Sequence, residues 1–199
     1  LPTYHPASVL RKWNQRVIAI LDLHKALKES KFSGIQTLAR EIWTRPSIKD
    51  LWTWWERYGS KAELLAFDIE TVSNQQISEI SFASDSTHAL HVPFFWKESG
   101  KFHNWWPDAK TEVEAWKFVK TVCESPVPKI GQNCIQYDCY WLAKEIGIAV
   151  KNVAHDTMQM SHAWQIEMEK NLGFLGSVFL DERSWKSIRK DTTLSLIHI

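Results

Sequence analysis

The sequence predicts an α/β fold in which a mixed sheet of antiparallel and parallel strands is flanked by helices. The first observation is the apolar run that opens residues 64–71, because it indicates a strand at the centre of a covered sheet. Two further strands, 77–83 and 89–95, follow at short intervals and complete a three-stranded antiparallel meander. The third observation is the alternation of helical and strand segments between 111 and 156, which is typical of parallel pairing.

The chain before the sheet is expected to begin with a helix. His5 precedes a proline and so cannot lie inside a helix, which places the helix start near Ala7. Apolar residues at helical spacing continue to about Glu29. Ser33-Gly34 then indicates a loop.

Residues 31–63 are predicted to form a connector that contains a short strand at 39–43 and a Trp-rich helix. Ser47, with Asp50 three residues later, indicates a capped helix that runs to about Tyr58. Tryptophans on such a helix can stack on nucleic-acid bases. Packing is the stronger expectation, because aromatic area dominates protein cores and interfaces.

The rest of the chain alternates between helices and strands. The predicted elements are a loop at 100–107, helices at 111–124, 137–146, 157–164 and 171–179, a short strand and turn at 129–133, and a strand at 153–156. Three antiparallel strands followed by alternating helices and parallel strands predict a ribonuclease H-like α/β domain.

Composition indicates a protein that can bury a sizeable core, since 44% of its residues are hydrophobic and 12 are tryptophan. No apolar run reaches the 18 residues that a membrane span needs, and no basic and apolar leader is recognised at the start. The opening leucine suggests a fragment. Three cysteines, odd in number and without zinc-finger spacing, favour a reducing compartment and structural thiols.

Charge is unevenly distributed along the chain, although the formal net charge is only +1. Residues 1–63 carry 11 Lys and Arg against 6 Asp and Glu, whereas residues 64–199 carry 13 against 17. Bulk attraction to nucleic acid is therefore not expected from the larger, acidic part. If that part acts on nucleic acid, the binding contacts are local or are made by another domain.

Two acids at the end of the central strand are the first candidate site. Asp68 and Glu70 flank Ile69, and because side chains alternate along a strand, both carboxylates point to the same face. Neighbouring carboxylates repel each other and are costly to desolvate, so a bound divalent cation would compensate them. Oxygen ligands favour Mg²⁺ or Mn²⁺. The alternative is a strand end whose acids simply face water.

Two ordered motifs resemble those of the DEDD family of 3′→5′ exonucleases, the proofreading type found in DNA polymerases. Asp68-Ile69-Glu70-Thr71 resembles the first motif. Asn133, followed five residues later by Asp138, resembles the second, and the spacing of about seventy residues between the motifs also fits. Asp156-Thr157-Met158 resembles a further recurring segment. Residues 172–177, followed by Trp185-Lys186, resemble the phage branch fused to family A-like polymerases.

This resemblance implies a two-metal nuclease with assigned ligands. Asp68 would hold both Mg²⁺ or Mn²⁺ ions, Glu70 the ion that activates water, and Asp138 the second ion. Asn133 would position Asp138 or the DNA end, and Thr71 is assigned to substrate binding. Phe67 and Ile69, by contrast, are expected to pack in the core.

The family also needs a fourth carboxylate on a late helix, with Tyr or His four residues before it. Asp181, Glu182 and Asp191 lack that setting. The fourth ligand is therefore expected beyond Lys190. Residues 194–199 look like a translated sequencing adapter, so the natural chain is expected to have been cut near Thr193.

The first residues resemble a different family. Thr3-Tyr4-His5-Pro6-Ala7, followed by Val9-Leu10-Arg11 and Asp22-Leu23, looks like the last motif and closing helix of bacterial and phage uracil-DNA glycosylases. In that family the histidine contacts the uracil. His5 is therefore interpreted as a vestigial glycosylase residue, and the alternative is a helix-entry histidine without a ligand.

These resemblances predict a domain order. Residues 1–30 would be a glycosylase remnant, 31–63 the connector, 64–193 an exonuclease domain truncated before its last motif, and 194–199 the adapter tail. The predicted activity is metal-dependent 3′→5′ hydrolysis of DNA in the cytoplasm of a bacterial or phage-infected cell. The expected partners are a single-stranded DNA 3′ end and a polymerase domain of the parent chain. An inactive binding module and a glycosylase–polymerase fusion with a repair role are the alternatives.

Overall fold

The computed structural model describes residues 3–34, 38–72 and 76–180, and these form two compact units. The larger unit covers the described residues from Ala39 to Thr157, and the smaller unit combines those up to Leu38 with those from Met158 onward. The predicted fourth-ligand region and the adapter-like tail lie outside the described residues. None of the helices in the described ranges is both long and apolar enough to cross a membrane.

A six-stranded mixed sheet forms the centre of the larger unit. Its strands, in chain order, are β1 (Glu41–Trp43), β2 (Leu65–Thr71), β3 (Ile77–Ala83), β4 (His88–Pro93), β7 (Lys129–Gly131) and β8 (Val153–Asp156). They lie side by side in the order β1-β4-β3-β2-β7-β8. The predicted meander is confirmed, because β2, β3 and β4 pair antiparallel, while β1, β7 and β8 add in parallel. The sheet therefore has the predicted mixed α/β arrangement.

One face of β2 is buried and the other is more open. Leu65, Phe67 and Ile69 are at most 4% exposed and lie in the core, as predicted for the latter two. Ala66 and Glu70, on the other face, are only half-buried, and Asp68 between them is exposed. The apolar run thus does mark a central strand, but this strand supplies its apolar surface to one side only.

Two helices cover the apolar face of the sheet. They are α3 (Ile48–Arg57) and α4 (Ala109–Glu124). Trp54 is fully buried, and the Trp52 ring meets the Phe118 ring edge-on at 5.2 Å between centroids. The buried aromatic side chains confirm packing as the role of these tryptophans. Because β1 and α3 both join the core of this unit, residues 39–61 are integral to it rather than a spacer.

The start of α3 contains the predicted capping box. The Ser47 hydroxyl accepts a hydrogen bond from the Asp50 amide at 3.3 Å, and the Asp50 carboxylate accepts one from the Ser47 amide at 2.9 Å. Both bonds satisfy amides that the first turn of a helix otherwise leaves without partners.

Substitution of Ser47 tests how much this cap contributes to the stability of the protein. Ser47→Ala should lower the free energy of unfolding by about 1 kcal/mol, because one helix amide loses its acceptor. Ser86→Ala, an exposed loop substitution, is the control. Chemical denaturation of both variants checks the value, and equal stability of S47A and the parent protein would contradict the role of the cap.

A hairpin replaces part of the loop predicted at 100–107. The strand β4 ends at Pro93, and Phe95–Glu98 (β5) pairs antiparallel with Lys101–Asn104 (β6) in a separate two-stranded sheet. The prediction of a single strand over 89–95 is therefore wrong beyond Pro93. The turn residues Ser99 and Gly100 both have positive φ, of 49° and 81°, and this backbone matches the right-handed twist of the two strands.

The smaller unit is helical in its described part. The single helix expected from about Ala7 is divided into α1 (Pro6–Arg11), a 3₁₀ turn (Trp13–Gln15) and α2 (Arg16–Glu29). Lys12, with φ −128° and ψ 82°, departs from helical geometry between them. Neither proline nor glycine marks this position, so the sequence pattern does not reveal the break.

Three further helices follow the central strands. They are α5 (Asp138–Trp141), which continues as a π-helical turn over Leu142–Ile146, α6 (Thr157–Trp164) and α7 (Leu172–Phe179). In the smaller unit, the Lys25 ammonium of α2 donates to the carbonyl oxygens of Ser177 and Leu180 at 3.4 and 3.2 Å. Gly147 ends the π-helical turn with a φ of 72°, as its predicted stop role requires.

Candidate active site

The carboxyl end of β2 carries the first two candidate residues. Asp68 lies opposite Ser81 of β3, and Glu70 lies opposite Glu79, so the two acids share one face of the sheet. The Asp68 side chain is exposed and Glu70 is half-buried. The structure thus places both predicted ligands on the open face of the central strand.

Asp138 reaches the same strand from the first turn of α5. Its Oδ1 accepts a hydrogen bond from the Ile69 amide at 2.8 Å, and the residue is only 2% exposed. The neighbouring strand β7 pairs with β2 only at Leu65 and Ala66, so the Ile69 amide lies beyond that ladder. The Asp138 carboxylate therefore accepts the hydrogen bond that a neighbouring strand would otherwise accept. It is held beside Ile69, the residue between Asp68 and Glu70.

The three carboxylates repel one another in a poorly solvated setting. Asp68 remains open to solvent, but neighbouring protein displaces much of the water around it. This desolvation, together with the Glu70 charge, raises the pKa of Asp68 to about 6. Burial and then the Asp68 charge raise the pKa of Asp138 to about 7, although the hydrogen bond from Ile69 opposes the rise. Negative charge is therefore incompletely compensated at this edge of the sheet.

The donor set suits a hard divalent cation. Asp68, Glu70 and Asp138 offer only carboxylate oxygens, which Mg²⁺ and Mn²⁺ prefer, and a cation would offset the repulsion between them. Within the described ranges, however, no three His, Cys, Asp or Glu side chains converge as a ready-made metal cage. The residue types suit such an ion, but in the described part of the chain the three carboxylates do not converge on one point.

Asn133 occupies the turn between β7 and α5 in a left-handed conformation, with φ 58°. Its amide donates to Asp156 Oδ1 at 3.0 Å, and its carbonyl oxygen accepts from the Tyr137 amide at 3.1 Å. The buried side-chain Oδ1 has no hydrogen-bond partner among the described residues. The backbone of Asn133 thus positions the turn that leads to Asp138, and its side chain leaves an acceptor unused.

Asp156 is a further acid that the structure brings to this turn. It is 5% exposed and accepts hydrogen bonds from the amides of Asn133 and Ile135, at 3.0 and 3.5 Å. Sequence reasoning gave Asp156 no individual role. Its position at the end of an apolar strand was the signal that it would lie at the same edge as the other acids.

Thr71 and Tyr137 form a polar pair beside the acids. The Thr71 hydroxyl lies 2.6 Å from the Tyr137 hydroxyl, and the Tyr137 side chain is 38% exposed. Thr71 was predicted to bind substrate, whereas Tyr137 was not singled out. Because Tyr137 immediately precedes Asp138, it positions a partly exposed aromatic ring at the mouth of the site.

His5 lies in the smaller unit and caps a helix. Its Nδ1 accepts a hydrogen bond from the Ala7 amide at 3.1 Å at the start of α1, and the residue is exposed. This contact accounts for a histidine at the helix entry. The glycosylase role of His5 stays a prediction.

Comparisons with known proteins identify structural relatives only. No protein-family model and no curated protein matches the sequence. A solved structure of a nuclease in its apo form is 16% identical, with a TM-score of 0.50, and the match covers 79% of this chain and 67% of that one. This likeness is to the fold, and the predicted ribonuclease H-like α/β fold is confirmed.

Two other similar structures have lower TM-scores. The EXD2 exonuclease domain soaked in Mg and dGMP is 16% identical over 77% of both chains, with a TM-score of 0.44. NrnC of Brucella melitensis is 14% identical, covering 73% of this chain and 62% of that one, with a TM-score of 0.46.

Proposed function

We propose that this chain is a metal-dependent 3′→5′ exonuclease domain that hydrolyses phosphodiester bonds at DNA 3′ ends. The observation that carries the proposal is the hydrogen bond from the Ile69 amide to Asp138 Oδ1. It joins two motifs that are 69 residues apart in sequence and brings a third carboxylate beside Asp68 and Glu70. A site of three acids whose like charges repel one another, on an open sheet face, is suited to metal-assisted phosphate chemistry.

The residues divide into two roles in this proposal. Asp68, Glu70 and Asp138 would hold two Mg²⁺ or Mn²⁺ ions, which supply charge stabilisation and an activated water when bound. The Thr71–Tyr137 pair offers hydroxyls and a ring to the terminal nucleotide. Asn133 would position Asp138, because its backbone holds the turn that leads to that residue. A fourth carboxylate beyond Lys190 remains part of the proposal.

The protein context is a further part of the proposal. We infer a parent chain in which this exonuclease domain proofreads for a DNA polymerase domain, with a uracil-DNA glycosylase domain before it. The motif resemblances support this context, and the basic surplus of residues 1–63 is compatible with DNA contact outside the acidic part. A cytoplasmic location belongs to the same proposal.

Degradation of a single-stranded DNA oligonucleotide labelled at its 5′ end tests the activity directly. We expect a Mg²⁺- or Mn²⁺-dependent ladder that shortens from the 3′ end, lost in Asp68→Asn. Glu114→Gln, which removes an exposed acid on α4, is the matched control and should leave the ladder unchanged. The assay is run on this chain and on the longer parent chain that supplies the fourth carboxylate. Metal-independent degradation, or an unchanged ladder in D68N, would contradict the proposal.

A further inference from the structure

A cavity lies outside the carboxylate site, at the carboxyl end of β1. It has a volume of about 290 Å³ and is lined by Trp43, Arg45, Pro46 and Asp50. Pro46 is buried, Trp43 and Asp50 are half-buried, and Arg45 is exposed. The cavity therefore opens to solvent between the edge strand of the sheet and the start of α3.

The position of the Trp43 ring is fixed by its own strand. The indole N–H donates to Glu41 Oε1 at 2.7 Å, and Glu41 also accepts from the Tyr58 hydroxyl at 3.2 Å through its second oxygen. Tyr58 in turn stacks on His88 at 4.2 Å between ring centroids. An aromatic wall held in this way loses little side-chain freedom when a planar ligand stacks on it.

The polar groups of the cavity have opposite hydrogen-bonding character. Arg45 supplies donors only and Asp50 supplies acceptors only. Asp50 Oδ2 is already bonded by the Ser47 amide and hydroxyl, at 2.9 and 2.7 Å, and these bonds lower the pKa of Asp50 and keep it ionised. The capping box also occupies two of the amides at the helix start, those of Ser47 and Asp50.

These features together select a ligand class. A free phosphate would meet the Asp50 carboxylate, and a purely apolar ligand would displace water from Arg45 and Asp50 without offering them a hydrogen bond. A nucleobase matches the set, because it has a π face for Trp43 and both donors and acceptors on its edge. The buried Pro46 provides an apolar surface within the same cavity.

The sheet topology relates this cavity to the carboxylates. The strand β1 runs parallel to β4, and β4 runs parallel to β2 across the antiparallel β3. The carboxyl ends of β1 and β2 therefore lie at one edge of the sheet. The register places Trp43 level with Phe67 and on the same helix-covered face, whereas Asp68 points to the opposite face. Three strand spacings, roughly 14 Å, separate β1 from β2, so a single strand that contacts both sites passes over the carboxyl edge of the sheet.

We propose that the cavity formed by Trp43, Arg45, Pro46 and Asp50 binds a nucleobase of the single strand whose 3′ end lies at Asp68 and Asp138. The strand as ligand rests on the proposed exonuclease function, whereas the nucleobase chemistry rests on the cavity itself. Binding there extends the contact with the strand beyond the hydrolysed nucleotide, in a domain whose bulk charge does not attract nucleic acid.

Oligonucleotides of two lengths distinguish binding at the cavity from binding at the carboxylate site. Fluorescence anisotropy measures binding of labelled strands of about twelve and about three nucleotides to the Asp138→Asn protein, which does not degrade them. Only the longer strand reaches the cavity. Trp43→Ala and Arg45→Ala, each added to D138N, should weaken binding of the longer strand about tenfold and leave the shorter one unchanged. Lys49→Ala, which removes a neighbouring exposed charge that does not line the cavity, is the control.

Each other outcome has a defined meaning. Unchanged affinity of both variants for the longer strand overturns the cavity proposal, and so does an equal loss for both strands. Arg45→Ala and Trp43→Phe keep the test valid if Trp43→Ala fails to fold. Quenching of the protein's tryptophan fluorescence by a free mononucleotide that is lost in Trp43→Phe, with strand affinity unchanged in the variants, would assign the cavity to free nucleotides and overturn the strand assignment. If D138N binds neither strand, and the unsubstituted protein degrades neither, the exonuclease proposal is the one that fails.

Discussion

Asp138→Asn should reduce metal-dependent hydrolysis roughly a thousandfold while leaving the fold intact, because the change removes one ligand charge from a metal-assisted reaction. The substitution keeps an oxygen at the position of Oδ1, so the Ile69 amide retains an acceptor. Single-turnover degradation of a labelled oligonucleotide by the unsubstituted protein and by D138N measures the loss. Circular dichroism and the melting temperature report the fold.

The same substitution should stabilise the metal-free protein. Burial and the Asp68 charge raise the pKa of Asp138 to about 7, so the folded state loses stability as the pH rises from about 4, where an unfolded aspartate titrates, to about 7. Asparagine carries no charge, and we expect Tm to rise by about 2–4 °C at pH 8 in the absence of divalent cations. Below about pH 4, where Asp138 is protonated in the folded and the unfolded state alike, the difference should vanish.

The pairing of lower activity with higher stability distinguishes a functional from a structural acid. Asp156→Asn is the informative comparison, because this buried carboxylate accepts hydrogen bonds from the 133–135 turn. It should lower Tm rather than raise it, since amide nitrogen cannot accept those bonds. A D138N protein that retains metal-dependent hydrolysis, or that melts well below the parent protein, would remove Asp138 from the site.

The sequence was sufficient to predict elements whose signals are local. The alternation over 77–83 matches β3 at both ends, and Ser47 with Asp50 forms the predicted capping box. Strand periodicity also placed Asp68 and Glu70 on one face, because the alternation of side chains does not depend on tertiary contacts.

Features that depend on neighbouring strands were not predictable in the same way. The hydrogen bond between Ile69 and Asp138 exists because β7 pairs with β2 over two residues only, and no local pattern encodes where that ladder stops. The β5–β6 hairpin is a different case. Ser99-Gly100 is a turn signal between two strand-forming runs, and it was read as the start of a loop.

Divalent cations should stabilise the protein more strongly as pH rises from about 5 to 8. The pKa values of Asp68 and Asp138 are raised to about 6 and about 7, whereas an unfolded aspartate titrates near 4. Between pH 4 and 7 the unfolded state therefore loses these protons first, and the metal-free folded state loses stability as pH rises. A cation binds the deprotonated carboxylates, so its stabilising effect grows over the same interval.

Melting curves with and without saturating Mg²⁺ at several pH values measure this linkage. Other acids, including Asp50 and Asp108, have lowered pKa values and contribute pH dependence of the opposite sign at lower pH. The double variant D68N/D138N removes only the two site carboxylates whose pKa values are raised, so the difference between it and the unsubstituted protein isolates their contribution. We expect no Mg²⁺-induced shift in the double variant at any pH, and in the parent protein a shift that is absent near pH 5 and largest near pH 8. A shift of equal size at both extremes would mean that Mg²⁺ stabilises the protein through other groups, since protonated carboxylates at pH 5 cannot bind it.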